Sequence, residues 1–91
     1  MRSQDADRII KDVGRRIAEC RAALGLTQEL LAVRLGMDTN NLQRIELGMQ
    51  NLTLRTIVRI ANALGIQVLA LFEKPKSRTV RKGRPPKQTN L

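Results

Sequence analysis

The chain has 91 residues, enough for one small domain, and Phe72 is its only aromatic residue. Its 17 Lys and Arg outnumber its 8 Asp and Glu, and it has one Cys and no His, so an internal disulfide, a His-ligated metal site and a His-based catalytic triad all lack their residues. This composition argues against an enzyme, predicts no metal or cofactor, and favours an aliphatic core packed between helices.

The sequence shows no sign of a membrane or export segment. No apolar run approaches the roughly 20 residues of a membrane span. The first ten residues, MRSQDADRII, are polar and partly acidic, unlike a signal peptide. We therefore expect a cytoplasmic protein with no membrane contact.

The first predicted helix lies within residues 5–24 and stops at Gly25. Its apolar residues recur every three or four positions, which places them on one face of a helix. These residues are Ile9, Val13, Ile17, Cys20 and Leu24. Because Cys20 belongs to this inner stripe, we expect it to pack as a small hydrophobic residue and not to act as a redox switch.

Three further helices are predicted, each preceded by a residue that can cap its first turn and followed by a glycine. The candidate caps are Thr27, then Asp38 or Thr39, and finally Thr53, and the glycines are Gly36, Gly48 and Gly65. The second and third of these four helices are only about two turns long. In the third helix, Leu42 and Ile45 are expected to point inward.

The segment IQVLALFE, residues 66–73, is compatible with two structures. As a fifth helix it places Val68, Leu71 and Phe72 on one face. As a strand it alternates its apolar residues and suits pairing with a second subunit. We favour the helix, although short apolar runs are where periodicity discriminates least.

Charge divides the chain near Lys74. Residues 1–73 hold ten basic and all eight acidic residues, a net charge of +2, whereas residues 74–91 hold seven basic residues and no acid, a net charge of +7. The second part also contains all three prolines and almost no apolar residues. We therefore predict a folded domain over residues 1–73 and a disordered basic tail over residues 74–91.

The pair of short helices indicates a function. Helices of eight residues are unstable alone, and a tight turn between two of them fixes their mutual angle. Such a pair suits a helix laid in the major groove of DNA with the preceding helix braced across the backbone. Residues 13–72 resemble the phage repressor and Cro type (XRE-type) helix-turn-helix family, in which Gly-Leu-Thr-Gln (25–28) opens the second helix and Ile-Glu-x-Gly (45–48) closes the third.

The resemblance implies a compact, all-α, repressor-like domain of four to five helices that binds double-stranded DNA. It assigns Gln28 to a phosphate contact and to support of the third helix, and it pairs Arg21 with Glu46 in a partly buried ion pair. The groove-facing positions of the third helix are Thr39, Asn40, Asn41, Gln43 and Arg44. Their chemistry agrees, because Asn and Gln can bond adenine bidentately and Arg can bond guanine.

Two positions depart from the common family pattern. The family commonly has Glu where Leu30 stands and Pro where Leu52 stands, so the surface of the second helix is more apolar here. The string Asn-Leu-Thr-Leu (51–54) instead resembles the controller proteins of restriction-modification systems, a branch of the same family.

The tail carries a second resemblance. Residues 81–87, RKGRPPK, resemble an AT-hook, whose core would here be formed by Lys82, Gly83, Arg84 and Pro85 in the minor groove of A·T-rich DNA. The alternative is a generic polycation that adds salt-sensitive affinity. Both interpretations remain open at the level of sequence.

Taken together, these patterns predict a homodimeric, sequence-specific transcriptional regulator, associated with the nucleoid in the cytoplasm. The dimer interface is placed in residues 66–73, at Leu69, Leu71 and Phe72, because one small domain can hardly hide so many apolar side chains. The alternatives are an antitoxin-type module with a protein toxin as partner, and a nucleoid-associated protein that reads little sequence.

Overall fold

The computed structural model describes residues 3–78, which form four α-helices and one 3₁₀ helix. The α-helices are α1 (Ala6–Ala23), α2 (Gln28–Leu35), α3 (Thr39–Glu46) and α4 (Leu54–Leu64), and the 3₁₀ helix spans Val68–Phe72. The predicted all-α fold is confirmed. Within the described residues, no helix combines the length and apolarity needed to cross a membrane.

The caps form where the sequence places them. Thr27, Asp38 and Thr53 each accept a hydrogen bond of 3.1 Å from an amide in the first turn of the following helix. Of the two candidates for α3, the cap is therefore Asp38. Gly36 and Gly65 adopt φ values of 66° and 68° after α2 and α4, a left-handed conformation that residues with a Cβ rarely adopt.

One branched aliphatic side chain from each element meets at the centre of the molecule. These five have 0% exposure and are Ile17, Leu31, Leu42, Ile60 and Leu71. Burying each stabilises the fold by about 1.5–3 kcal/mol. Cys20 is half-buried and packs against this core, whereas Ile9 and Leu24, at the two ends of the α1 stripe, are exposed.

Within residues 66–73 the chain forms the 3₁₀ helix Val68–Phe72, so the strand alternative is wrong. A 3₁₀ helix repeats every three residues, which stacks positions i and i+3 on one side. Val68 and Leu71 thus face the core, and Leu69 and Phe72 face outward with exposures of 76% and 45%. Leu71 has no surface to offer a second subunit, so its assignment to a dimer interface is corrected to a core position.

Helices α1 and α3 approach each other closely at Gly14. A Cβ atom added there would lie 2.5 Å from the carbonyl oxygen of Ile45 and 2.7 Å from that of Glu46. Real Cβ atoms do not approach carbonyl oxygens so closely. The absence of a side chain at this position therefore lets the last turn of α3 lie directly on α1.

The folded unit continues past the boundary that the charge distribution predicts at Lys74. Residues 74–78, which we name the strap, lie along α1, and Pro75 is buried. Glu19 accepts hydrogen bonds from the backbone amides of Lys76 (2.8 Å) and Ser77 (3.1 Å). The strap thus belongs to the ordered domain and not to a disordered tail, while residues 79–91 lie outside the described residues.

Candidate nucleic-acid interface

Helix α3 has an inner and an outer face. Leu42 and Ile45 are buried against the core, as predicted. Asn40, Gln43 and Arg44 stand at positions i, i+3 and i+4, which share one face of a helix, and all three are exposed. Three of the five predicted groove-facing residues therefore form one polar stripe on the outer surface, and the half-buried Thr39 and Asn41 flank it.

The last turn of α3 is fixed to α1 by an ion pair. Arg21 donates two hydrogen bonds to the carboxylate of Glu46, of 2.7 Å from Nε and 3.0 Å from Nη2. A third guanidinium nitrogen, Nη1, donates to the carbonyl of Leu26 at 2.9 Å. Only 17% of the Arg21 side chain and 5% of the Glu46 side chain are exposed. The structure thus brings together the two residues that the resemblance pairs.

Gln28 connects this ion pair to the outer face of α3. Its Nε2 donates to Glu46 at 2.9 Å, and its Oε1 accepts from Gln43 at 3.3 Å. Because an ionised carboxylate can only accept hydrogen bonds, the contact with Glu46 fixes which end of the Gln28 amide faces inward. Gln28, at the start of α2, therefore lies between the buried pair and the exposed stripe.

Asn41 makes two contacts that the sequence did not indicate. Its Oδ1 accepts a hydrogen bond from Nε2 of Gln50, in the loop between α3 and α4, and its Nδ2 donates to the sulfur of Met37 at 3.7 Å. Within the described residues, the side chains of Thr39, Asn40 and Arg44 make no hydrogen bond. Sequence patterns carried no signal for Gln50, because it lies in an irregular loop.

The AT-hook-like residues of the tail, Lys82, Gly83, Arg84 and Pro85, lie outside the described residues. Their role in DNA binding remains a prediction from the sequence.

The fold resembles solved structures of a controller protein, a hypothetical transcription factor and a transcriptional regulator. The restriction-modification controller protein C.AhdI from Aeromonas hydrophila is 36% identical, with a TM-score of 0.71 over 76% of this chain and 100% of that chain. The hypothetical transcription factor NHTF from Neisseria is 26% identical, with a TM-score of 0.68 over 84% of this chain and 87% of that one. An HTH_3 family transcriptional regulator from Vibrio cholerae, 24% identical with a TM-score of 0.70 over 75% of this chain and 38% of that one, shares the fold. A comparison with curated protein sequences gives no match.

A sequence model of the helix-turn-helix family HTH_3 matches residues 17–71, more than half of the chain. The matched region runs from the middle of α1 to the 3₁₀ helix and contains the pair of short helices and their glycine stops. The chain therefore belongs to the HTH_3 (XRE-type) helix-turn-helix family of DNA-binding transcriptional regulators.

Proposed function

We propose that this protein is a sequence-specific transcriptional regulator that places α3 in the major groove of its operator. The observation that carries the proposal is the stripe of Asn40, Gln43 and Arg44, exposed on the face of α3 opposite the buried Leu42 and Ile45. Asn40 has a donor and an acceptor to offer adenine, and Arg44 has two donors to offer guanine. Neither side chain has a partner within the described residues that DNA would have to displace.

The contacts that hold α3 in position support the same proposal. Base discrimination requires side chains that are held in place before the DNA arrives, since ordering them on binding would cost affinity. The Arg21–Glu46 pair fixes the last turn of α3. Gln28 then ties Gln43, the middle residue of the stripe, to that pair.

Selection of bound fragments from random DNA tests the function directly. A recovered consensus defines an operator, on which Asn40→Ala and Arg44→Ala are then measured against all single-base variants. Each good bidentate contact provides about 1–3 kcal/mol of discrimination, so each variant should lose its preference at one base pair per half-site. The charge-matched control is Arg8→Ala, which replaces an exposed arginine on α1. This variant should keep the wild-type preference at every base pair. Failure to recover any consensus would favour the nucleoid-associated alternative.

The dimer is proposed to form through the outward side of the 3₁₀ helix. Leu69 and Phe72 are its exposed apolar residues, and two-fold symmetry would place two copies of α3 about 10–10.5 base pairs apart on one face of the duplex. Leu69→Asp should produce a folded monomer in sedimentation experiments and weaken operator binding. Val33→Asp on α2, at a residue with 77% exposure, is the matched control and should leave the dimer intact. A monomeric unmodified protein at working concentrations would contradict this.

Similarity to C.AhdI supports a role in controlling a restriction-modification system. The test is binding to the promoter region of the gene itself and of its neighbours. Specific binding upstream of a restriction gene supports the controller role. Binding upstream of a toxin gene, with capture of that toxin by the protein, would support the antitoxin alternative instead.

The tail is proposed to add a second contact with DNA. If RKGRPPK (81–87) is a minor-groove hook, scrambling its order or introducing Arg84→Ala should abolish a preference for A·T-rich flanks, since a guanine amino group blocks the groove floor. If it is a polycation, scrambling should change nothing, because the charge is kept. Titrations on operators with A·T or G·C flanks, at one fixed salt concentration, distinguish the two.

A further inference from the structure

Two adjacent asparagines of α3 have different surroundings. Asn40 is exposed, and its side chain makes no hydrogen bond within the described residues. Asn41 is half-buried, and both ends of its amide are engaged, by Gln50 at Oδ1 and by Met37 at Nδ2. Successive residues of a helix point about 100° apart. Asn41 is therefore turned toward the loop that joins α3 to α4, away from the polar stripe.

The contacts of Asn41 compete with base recognition. A bidentate bond to adenine uses one donor and one acceptor on the same edge of the side-chain amide. The Asn41 amide has a second N–H and a second lone pair, but its contacts with Gln50 and Met37 hold it turned toward the loop, so it can meet a base only by rotating away from them. Reading a base would break the bond from Gln50 and the weaker contact with Met37 sulfur. Because Gln50 is also half-buried, its amide would then lose its partner in a confined site, which costs more than the loss of an exposed hydrogen bond.

We propose that Asn41 and Gln50 form a positioning pair that holds the first turns of α3 against the following loop, and that Asn41 reads no base. This inference rests on the proposed function, and it reduces the set of α3 residues that contact bases. Base preference then resides in the polar stripe of Asn40, Gln43 and Arg44 and in Thr39 beside it. With Glu46 fixing the last turn, α3 is held at both ends, and Gln50 affects DNA binding without lying on the polar stripe.

The test compares Asn41→Ala, Gln50→Ala and the double variant on the full panel of single-base operator variants. Loss of one hydrogen bond of about 1 kcal/mol corresponds to roughly five-fold weaker binding. We expect both single variants to weaken binding by a similar factor on every operator, without changing the order of preference. The double variant should bind no more weakly than either single variant. Asn40→Ala, one residue away, is the matched control and should flatten the preference at one base pair.

A measurement on the free protein keeps the test independent of DNA binding. Asn41→Ala should shift the side-chain amide resonances of Gln50 in nuclear magnetic resonance spectra and speed their exchange with water, whereas Asn40→Ala should leave them unchanged. Unchanged Gln50 resonances in Asn41→Ala would overturn the pair. So would a change of preference at one base pair caused by Asn41→Ala while Gln50→Ala binds normally. If Asn40→Ala and Arg44→Ala also leave all preferences intact, the proposed function fails, and the Gln50 resonances alone decide the pair.

Discussion

Two arginine–carboxylate pairs join distant parts of this chain with nearly the same geometry in different surroundings. Arg21 and Glu46 meet at 2.7 and 3.0 Å where α1 crosses α3. Arg78 and Asp12 meet at 2.7 and 2.9 Å where the strap lies on α1. The Glu46 side chain is 5% exposed, whereas the Asp12 and Arg78 side chains are 22% and 42% exposed. Bond lengths alone therefore do not rank the two pairs.

Burial makes one pair essential to the fold and the other replaceable. If Arg21 is removed, the carboxylate of Glu46 remains in a site that water scarcely reaches, and Gln28 is left as its partner. If Arg78 is removed, water can solvate Asp12. Exposed ion pairs therefore contribute little to stability, even with two short hydrogen bonds. An ion pair therefore contributes strongly to stability only where its charges are shielded from water.

The largest expected effect is at the buried pair. Arg21→Ala should lower the free energy of unfolding by about 3–5 kcal/mol, toward the lower end because Arg21 is partly exposed. Replacing both Arg21 and Glu46 by Ala should cost less than the sum of the two single replacements, since no charge is left unpaired. Denaturant titrations measure all three variants, with Arg55→Ala on exposed α4 surface as the control. Small shifts for every variant would contradict the ranking.

The second largest effect is expected at Gly14, where α1 crosses α3. Gly14→Ala places a Cβ against the carbonyl oxygens of Ile45 and Glu46, and overpacking of this kind costs about 1–3 kcal/mol. Since Ala normally favours a helix over Gly by about 0.5–1 kcal/mol, destabilisation here would reverse the usual sign. Thermal melts check it. The control Ala22→Gly, at an exposed position of α1, should lose only the propensity difference.

A smaller and local effect is expected at the exposed pair. Arg78→Ala should leave the melting temperature of the helical domain nearly unchanged but speed hydrogen exchange at the backbone amides of Lys76 and Ser77. Those amides donate hydrogen bonds to Glu19. The variant removes the contact between Arg78 and Asp12, which holds the end of the strap on α1. Arg8→Ala removes a neighbouring charge without removing a hydrogen bond to Asp12, so it should leave the exchange slow. A large fall in melting temperature for Arg78→Ala would contradict the comparison.

Acid should release the strap without unfolding the core. The hydrogen bond from Arg78 lowers the pKa of Asp12 against the opposing effect of burial. Burial also opposes ionisation of Glu19, yet the amides of Ser77 and Lys76 together with Arg16 lower its pKa. Lowered pKa values stabilise the folded state above the unfolded-state values of about 4, and this contribution is lost as the pH falls through the folded-state values. Amide chemical shifts of Lys76 and Ser77 should therefore titrate at a pH below the unfolded-state pKa values, and Glu19→Gln should remove the part of that titration that Glu19 contributes.

Features that depend on neighbouring residues could be predicted from the sequence. Caps such as Thr27 and Asp38 act on amides two or three residues away. Gly36 and Gly65 end helices through their own backbone conformation. The inward positions of Leu42 and Ile45 follow from helical periodicity, and the family motif located the helix pair.

Features that depend on residues far apart in the chain became visible only in the folded protein. Both Asn40 and Asn41 match groove-facing positions of the family, and only the folded structure shows the bond from Gln50 in the next loop that engages Asn41. The charge run begins at Lys74, but Asp12 bonds Arg78 across 66 positions and extends the ordered unit. Helical periodicity placed Leu71 and Phe72 on one face, whereas packing on α1 and α4 buries Leu71 and leaves Phe72 exposed together with Leu69. A pattern of nearby residues can specify a helix and its apolar face, but which polar groups are engaged depends on contacts that form only when the helices meet.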